Sequence, residues 1–246
     1  MSEWFRDAFG KSYLSIYSHR DETEARETVG MIERSLGLSP GIRVLDIPCG
    51  AGRHAREFAR RGWPTTAIDL SRDLLDHATH SGAAPNLSYA RGDVRALPLR
   101  DGSFDVVANL FSSFGYLPDD EANFAVLGEF ARVCRPGGHV VLDFMNEPQV
   151  RLALQPDSER MTSEGWVVSE RRSIRGTPPR VEKQTRVTVP SGGTREFLES
   201  VRLFKPEELR EAMERAALVV CKAFGDYSGA EYSAQSRRLI LIGEKP

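Results

Sequence analysis

The stretch RVLDIPCGAGRHAREFARRG, Arg43 to Gly62, decides how the rest of the chain is read. The residues leading into it are apolar and β-branched at Ile42, Val44 and Ile47, the pattern of a short strand buried on both faces. A turn containing Gly50 and Gly52 follows, and a helix is predicted around His54 to Arg61. Gly50, Gly52 and Ala55 match the G-x-G-x-x-G/A spacing of a loop that lets backbone approach a dinucleotide at the carboxyl end of a strand. A glycine turn that serves only packing fits the same residues. Asp46 places an anion at the strand end, and Pro48 precedes the first glycine with a fixed negative φ and no amide donor.

On either side of this loop the chain alternates between strands and helices. Ala25, Val29, Ile32 and Leu36 recur at helical spacing from Thr23 to Leu38, where LSPG stops the helix. TTAIDL reads as a second strand and SRDLLDHATHS as a helix capped by Ser71. LSYARGD, SFDVVANLF and GHVVLDFMN continue as strands, with DEANFAVLGEFARVCR a helix between the last two. After Asn146 the texture changes to GWVVSERRSI, RVEKQTRVTVP and REFLESVRLF, three strands of mixed polarity separated by turn signals. A helix opened by Pro206 and the strands VVCKAFGD and SRRLILIGEK close the chain.

The expected fold is α/β, a Rossmann-like doubly wound, mostly parallel seven-stranded sheet with an added antiparallel β meander as lid. A single domain over 1–246 is expected: an N-terminal helical segment (1–40), a cofactor-binding core (41–146), a lid insertion (160–204) and a closing helix and strands (205–246).

Composition excludes several classes. With 40% hydrophobic and 28% charged residues and a net charge of -2, the 246-residue chain is an ordinary globular protein with no basic surface for nucleic acid. The pairs Arg60/Arg61, Arg171/Arg172 and Arg237/Arg238 read mostly as solvated surface. Three widely spaced cysteines suggest neither a disulfide framework nor a metal site, and His77 and His80 lack acid or cysteine partners, so no metal is expected. The charged N-terminus lacks the apolar core of a signal peptide, and no apolar run approaches the roughly 18 residues of a membrane helix. A cytoplasmic protein, monomer or homodimer, without membrane or nucleic-acid partner, is the expectation.

Asp46 separates the two ligand readings. A pyrophosphate is repelled by an anion at the strand end, whereas S-adenosylmethionine carries an ammonium, a sulfonium and a ribose and has no phosphate. Acids at the ends of successive strands, Asp46, Asp69 and Asp93, stand on the edge where ligands of such sheets bind. The ordered series VLDIPCGAG, AIDLS, RGDVRALPL, FDVVANLFSSFGYL and RPGGHVVLDF resembles the motifs of class I S-adenosylmethionine-dependent methyltransferases, over roughly Tyr13 to Asn146. The later strands resemble, more loosely, the small-molecule branch of that family.

The resemblance implies a methyl transfer from S-adenosyl-L-methionine to a small molecule, leaving S-adenosyl-L-homocysteine. It puts Asp46 near the methionine ammonium, lets the backbone pass the cofactor at Gly50 and Gly52, and puts Asp69, with Leu70, at the ribose. Asp93 and Val94 would meet the adenine, and Asn109, Leu110 and Phe111 the methionine side. Glycine is common where Pro48 stands. Ahead of the first strand, Tyr13 and Tyr17 share one helical face and would fold over the cofactor, while Arg53 would pair with the methionine carboxylate. Ser112, Ser113 and Tyr116 would border the acceptor. Arg171, with Arg172, Arg186 and Arg202 in the meander, would face a small anionic acceptor or else form the solvent face of that sheet. Should a base be needed, His19, Tyr116 and Tyr227 are the candidates. An NAD(P)-dependent oxidoreductase and a non-catalytic binder of the same cofactor are the alternatives.

Overall fold

The computed structural model describes residues 3–17 and 22–246. Helices α1 (Phe5–Ala8), α2 (Lys11–Ile16) and α3 (Glu22–Leu36) precede the first strand. The core then runs β1 (Val44–Asp46), α4 (Arg53–Arg60), β2 (Thr65–Asp69), α5 (Arg72–Ser81), β3 (Leu87–Arg91), β4 (Phe104–Asn109), α6 (Asp120–Val133) and β5 (Cys134–Met145). After α7 (Glu147–Ala153) come β6 (Asp157–Met161), β7 (Val167–Arg175), β8 (Arg180–Thr188) and β9 (Thr194–Arg202). Helix α8 (Pro206–Arg215) and strands β10 (Val219–Phe224) and β11 (Arg238–Glu244) finish the chain.

The larger sheet has seven strands in the order β10-β11-β5-β4-β1-β2-β3. β1 is parallel to both β2 and β4, and β11 is antiparallel to its neighbours β5 and β10. Both faces are covered, which explains why these strands are apolar throughout rather than alternating. Leu45 and Ile47 pack on one face with Leu127 and Phe130 of α6 and Leu209 of α8. Val44 packs on the other with Val29 and Ile32 of α3 and Phe58 of α4. Chain order reverses between β1 and β4, and the crevice at that switch point is where such sheets hold ligands.

The second sheet is antiparallel, β6-β7-β8-β9, with four strands where the sequence predicts three. DSERM in β6 has no apolar alternation and reads as loop; its pairing with β7 supplies the order that its side chains do not. Helix α2 packs Ile16 against Val168 and Val187 of this sheet. The sheet is tied to the loop after β4 by the Arg202 amide, which donates to the Gly115 carbonyl at 2.8 Å. The buried Arg180 guanidinium also donates to the carbonyls of Gly115 and Leu117. The meander is thus seated over the carboxyl ends of the parallel strands.

Candidate active site

The β1–α4 loop borders a cavity of about 860 Å³, within the size range of small-molecule sites. Backbone bonds fix the loop: the Cys49 amide donates to the Ile68 carbonyl and the Gly52 amide to the Cys49 carbonyl, both at 2.9 Å. Gly50 and Gly52 hold φ of 54° and 76°, a left-handed conformation that side chains disfavour. A Cβ on Gly50 would meet nothing within 4 Å, and Gly50 borders the cavity. A Cβ on Gly52 would stand 2.5 Å from the Tyr89 hydroxyl and 3.0 Å from Ala78, behind the cavity wall. Of the two glycines expected to let the backbone pass the cofactor, only Gly50 borders the cavity; Gly52 is required by packing against β3 and α5. Pro48 borders the cavity, and its peptide bond to Ile47 is cis.

Asp69 borders the cavity with Leu70 and also builds it. Its Oδ2 accepts the Gly50 amide at 2.7 Å and its Oδ1 the Ser71 amide at 2.8 Å. Burial raises its carboxyl above the usual range, against the pull of those amides. Asp46 lies deeper, 1% exposed, and neither of its carboxylate oxygens has a hydrogen-bond partner among the described residues. Burial, and then the charge of Asp69, pushes its carboxyl up to about 8. A buried acid without partners one layer below a ligand cavity fits a cation or a donor-rich group above it.

Asp93 and Val94 border the cavity, but Asp93 is chelated by the Arg95 guanidinium at 3.0 and 2.6 Å, which holds its carboxyl low. At the end of β4, Asn109 is buried beneath the wall, donating to the Ile47 carbonyl at 2.9 Å. Its expected contact with the methionine side is therefore corrected: it ties the ends of β1 and β4 together. Leu110, Phe111, Ser112 and Ser113 do border the cavity. Arg53 lies 4.5 Å above the Phe111 ring and pairs with Glu24 at 2.5 Å.

The N-terminal helices supply an aromatic wall. Phe9 stacks on Tyr116 at 5.8 Å between centroids, Tyr13 meets Phe9 edge-on at 5.2 Å, and Tyr17 follows Tyr13 at 4.6 Å. The Tyr17 ring already faces a cation of the lid, with Lys183 Nζ 5.0 Å from its centroid and 2.5 Å from its hydroxyl. Its hydroxyl donates to Glu199 at 3.1 Å, and Glu199 borders the cavity. α2 and the antiparallel sheet thus close over the crevice together.

Two further candidates, Arg171 and Tyr227, do not border the cavity. Arg171 is exposed on the lid and pairs with Asp157; strand alternation turns it outward. Tyr227 lies behind the wall and donates to Asp143 at 2.9 Å; burial and that carboxylate raise its phenol, so it serves as a donor and not as a base. His19 falls outside the described residues. Conversely, Arg238, read as solvated, is a cavity residue: its Nε donates to Asp143 at 2.8 Å and its Nη2 to Ser112 Oγ at 2.9 Å. Its partner is 95 positions away, so no local pattern announces the pair. His54 borders the cavity at 5% exposure, with Nε2 unpartnered among the described residues. Burial and then the charges of Arg53, Arg238 and Arg56 keep its imidazole neutral.

Residues 44–138 match the model of a methyltransferase domain family. The chain is 31% identical over 222 residues to the dTDP-3-amino-3,4,6-trideoxy-alpha-D-glucopyranose N,N-dimethyltransferase of Streptomyces venezuelae, covering 88% of this chain and 92% of that protein. Its fold matches the CcbJ methyltransferase of Streptomyces caelestis with a TM-score of 0.80 at 20% identity, over 94% of this chain and 96% of that one. It also matches an S-adenosylmethionine-bound amino pentose methyltransferase of Micromonospora echinaspora, TM-score 0.71 at 24% identity, over 96% and 97%. With a sheet switch point, an acid-edged glycine loop and near full-length likeness to a methyltransferase all agreeing, the chain belongs to the S-adenosylmethionine-dependent methyltransferases.

Proposed function

We propose that the chain methylates an amine nitrogen of a small molecule held between the N-terminal helices and the antiparallel sheet. The carrying observation is that one cavity is lined both by the aromatic side chains of Phe9, Tyr13 and Tyr116 and by an acid of the lid, Glu199. Aromatic faces attract an ammonium, and a carboxylate balances its charge. The Streptomyces venezuelae relative, named for dimethylating an amino sugar nucleotide, supports the nitrogen.

When bound, S-adenosylmethionine supplies an electrophilic methyl on a sulfonium whose thioether is a good leaving group. The chain's own work is alignment and exclusion of water. Gly50 and Asp69 hold the ribose end, with Asp93 and Val94 at the base. Asp46 balances the amino-acid end from below, and Phe111 with Arg53 closes its side. Glu199 takes up the proton lost by the nitrogen, with Tyr17 and Lys183 fixing its carboxylate at 3.1 and 2.7 Å. Tyr13, Tyr116, Ser112 and Ser113 shape the space for the acceptor.

The test is methyl transfer from labelled S-adenosylmethionine to matched panels of primary and secondary amines and of alcohols and phenols. Turnover confined to the amines supports the reading; turnover confined to the hydroxyl panel overturns it.

A further inference from the structure

The loop after β4 carries a backbone conformation that its sequence does not ask for. Phe111 and Ser112 are consecutive non-glycine residues at φ of 59° and 58°, both in the left-handed region. Such a pair persists only where its surroundings over-determine it. The surroundings here converge on Asp143, near the end of β5. The Phe111 amide donates to Asp143 Oδ2 at 2.8 Å and the Ser112 amide to the Asp143 carbonyl at 2.9 Å. Asp143 is itself held by Tyr227, whose hydroxyl donates to Oδ2 at 2.9 Å, and by Arg238, whose Nε and Nη2 reach Oδ1 at 2.8 and 2.7 Å. Arg238 also donates to Ser112 Oγ at 2.9 Å.

This clamp has a directional effect. The Leu110–Phe111 peptide is trans, so its carbonyl points opposite to its N–H. The N–H points at the buried Asp143, so the Leu110 carbonyl points away from it. The Leu110 side chain is packed in the apolar cluster with Val44 and Ile240, and the residue borders the cavity. That carbonyl accepts no hydrogen bond among the described residues.

We propose that Asp143, Arg238 and Tyr227 are positioning residues that lock Phe111 and Ser112 left-handed and thereby aim the Leu110 carbonyl into the cavity, as an acceptor for a cationic or N–H-bearing ligand group. The proposal rests on the cofactor reading, because the group available at that end of the cavity is the ammonium of the cofactor's amino-acid part. Arg238 adds a structural demand of its own: a lysine keeps the charge but cannot span Asp143 and Ser112 together.

The test compares S-adenosylhomocysteine with 5′-methylthioadenosine, which has the same nucleoside and no amino-acid part, by calorimetry on the full chain. The variants are Arg238→Lys and Tyr227→Phe, each alone and combined with Ser112→Gly, since glycine adopts positive φ without help. The expected result is an S-adenosylhomocysteine Kd raised about tenfold or more in Arg238→Lys and a few-fold in Tyr227→Phe. The methylthioadenosine Kd stays unchanged, and the glycine variant recovers part of the loss. Tyr227→Phe removes one hydroxyl and carries the test if Arg238→Lys does not fold. Unchanged S-adenosylhomocysteine affinity in folded variants, or parallel weakening of both ligands as a general structural defect would give, overturns the proposal alone. A wild-type chain that binds neither ligand overturns the cofactor reading and the proposal with it.

Discussion

The Gly50 amide donates a 2.7 Å hydrogen bond to Asp69 Oδ2, so the loop after β1 and the acid ending β2 form one mechanical unit. The same carboxylate takes the Ser71 amide at the start of α5. A ligand that meets Asp69 therefore meets a group already fixed at two backbone points.

Asp69→Ala removes both anchors. Hydrogen bonds to a charged group contribute about 1.5–3 kcal/mol each, so the S-adenosylhomocysteine Kd should rise by about 100-fold while the urea midpoint falls. Asp69→Asn, which keeps one acceptor oxygen, should fall between. Calorimetric affinity in Asp69→Ala equal to wild type would remove Asp69 from the cofactor site.

Asp46 makes stability and binding respond oppositely to pH. Its carboxyl titrates near 8 in the folded chain against an ordinary 3.8. Between those values the folded state holds a proton that the unfolded state has lost. Its contribution to stability is thus full below about pH 4 and lost as pH rises towards 8. A cationic ligand favours the ionised form, so affinity for S-adenosylhomocysteine should rise from pH 6 to 8 with proton release. Asp46→Asn should flatten both profiles, stabilise the free chain at pH 8 and weaken binding at least tenfold. Urea unfolding and calorimetry in buffers of different ionisation enthalpy read the two effects. A wild-type affinity that does not change with pH would count against the role of Asp46.

The two loop glycines should fail in different ways. Gly52→Ala drives a methyl to 2.5 Å from the Tyr89 hydroxyl and should cost about 2 kcal/mol or more of stability, partly restored by Tyr89→Phe. Gly50→Ala has open space and should cost only about 1 kcal/mol for its positive φ, yet lose affinity because the methyl occupies the cavity. Melting curves and ligand titrations on both variants separate the outcomes.

Among the lid arginines the exposed and the buried ones should differ sharply. Arg171→Ala removes a solvent-exposed pair and should change stability by no more than about 0.5 kcal/mol, with cofactor affinity intact. Arg180→Ala takes a buried guanidinium away from the carbonyls of Gly115, Leu117 and Ser200, leaving Gly115 only the Arg202 amide and Leu117 only the Asn123 side chain, and should cost about 2 kcal/mol or more. It should also loosen the loop bearing Tyr116. Equal, small effects from the two substitutions would sink this account of how the lid is attached.

Much of the site was legible because its signals are local. Asp46 and Asp69 end β1 and β2, and Gly50 and Val94 lie in the loops that follow β1 and β3; strand ends follow from short apolar runs bounded by glycine and acid. Gly52 was legible as a glycine but misread in its reason, since the Tyr89 ring that forbids a side chain there belongs to a strand more than one helix away. Asn109 occupies the expected strand end, yet its neighbours turn it into a strut.

The sequence by itself determined the order of strands and helices in the larger sheet, the crevice at their carboxyl ends and the acids along it, because hydrophobic period and turn chemistry act over a few residues. Only the tertiary structure decided which charges are sunk and which are washed. Arg238 and Arg171 look alike in a string, but one begins a strand beside Asp143 and the other ends on the outer face of the lid. A salt bridge across the sheet is set by register between distant strands, and register is fixed by packing of the whole core rather than by any segment of it.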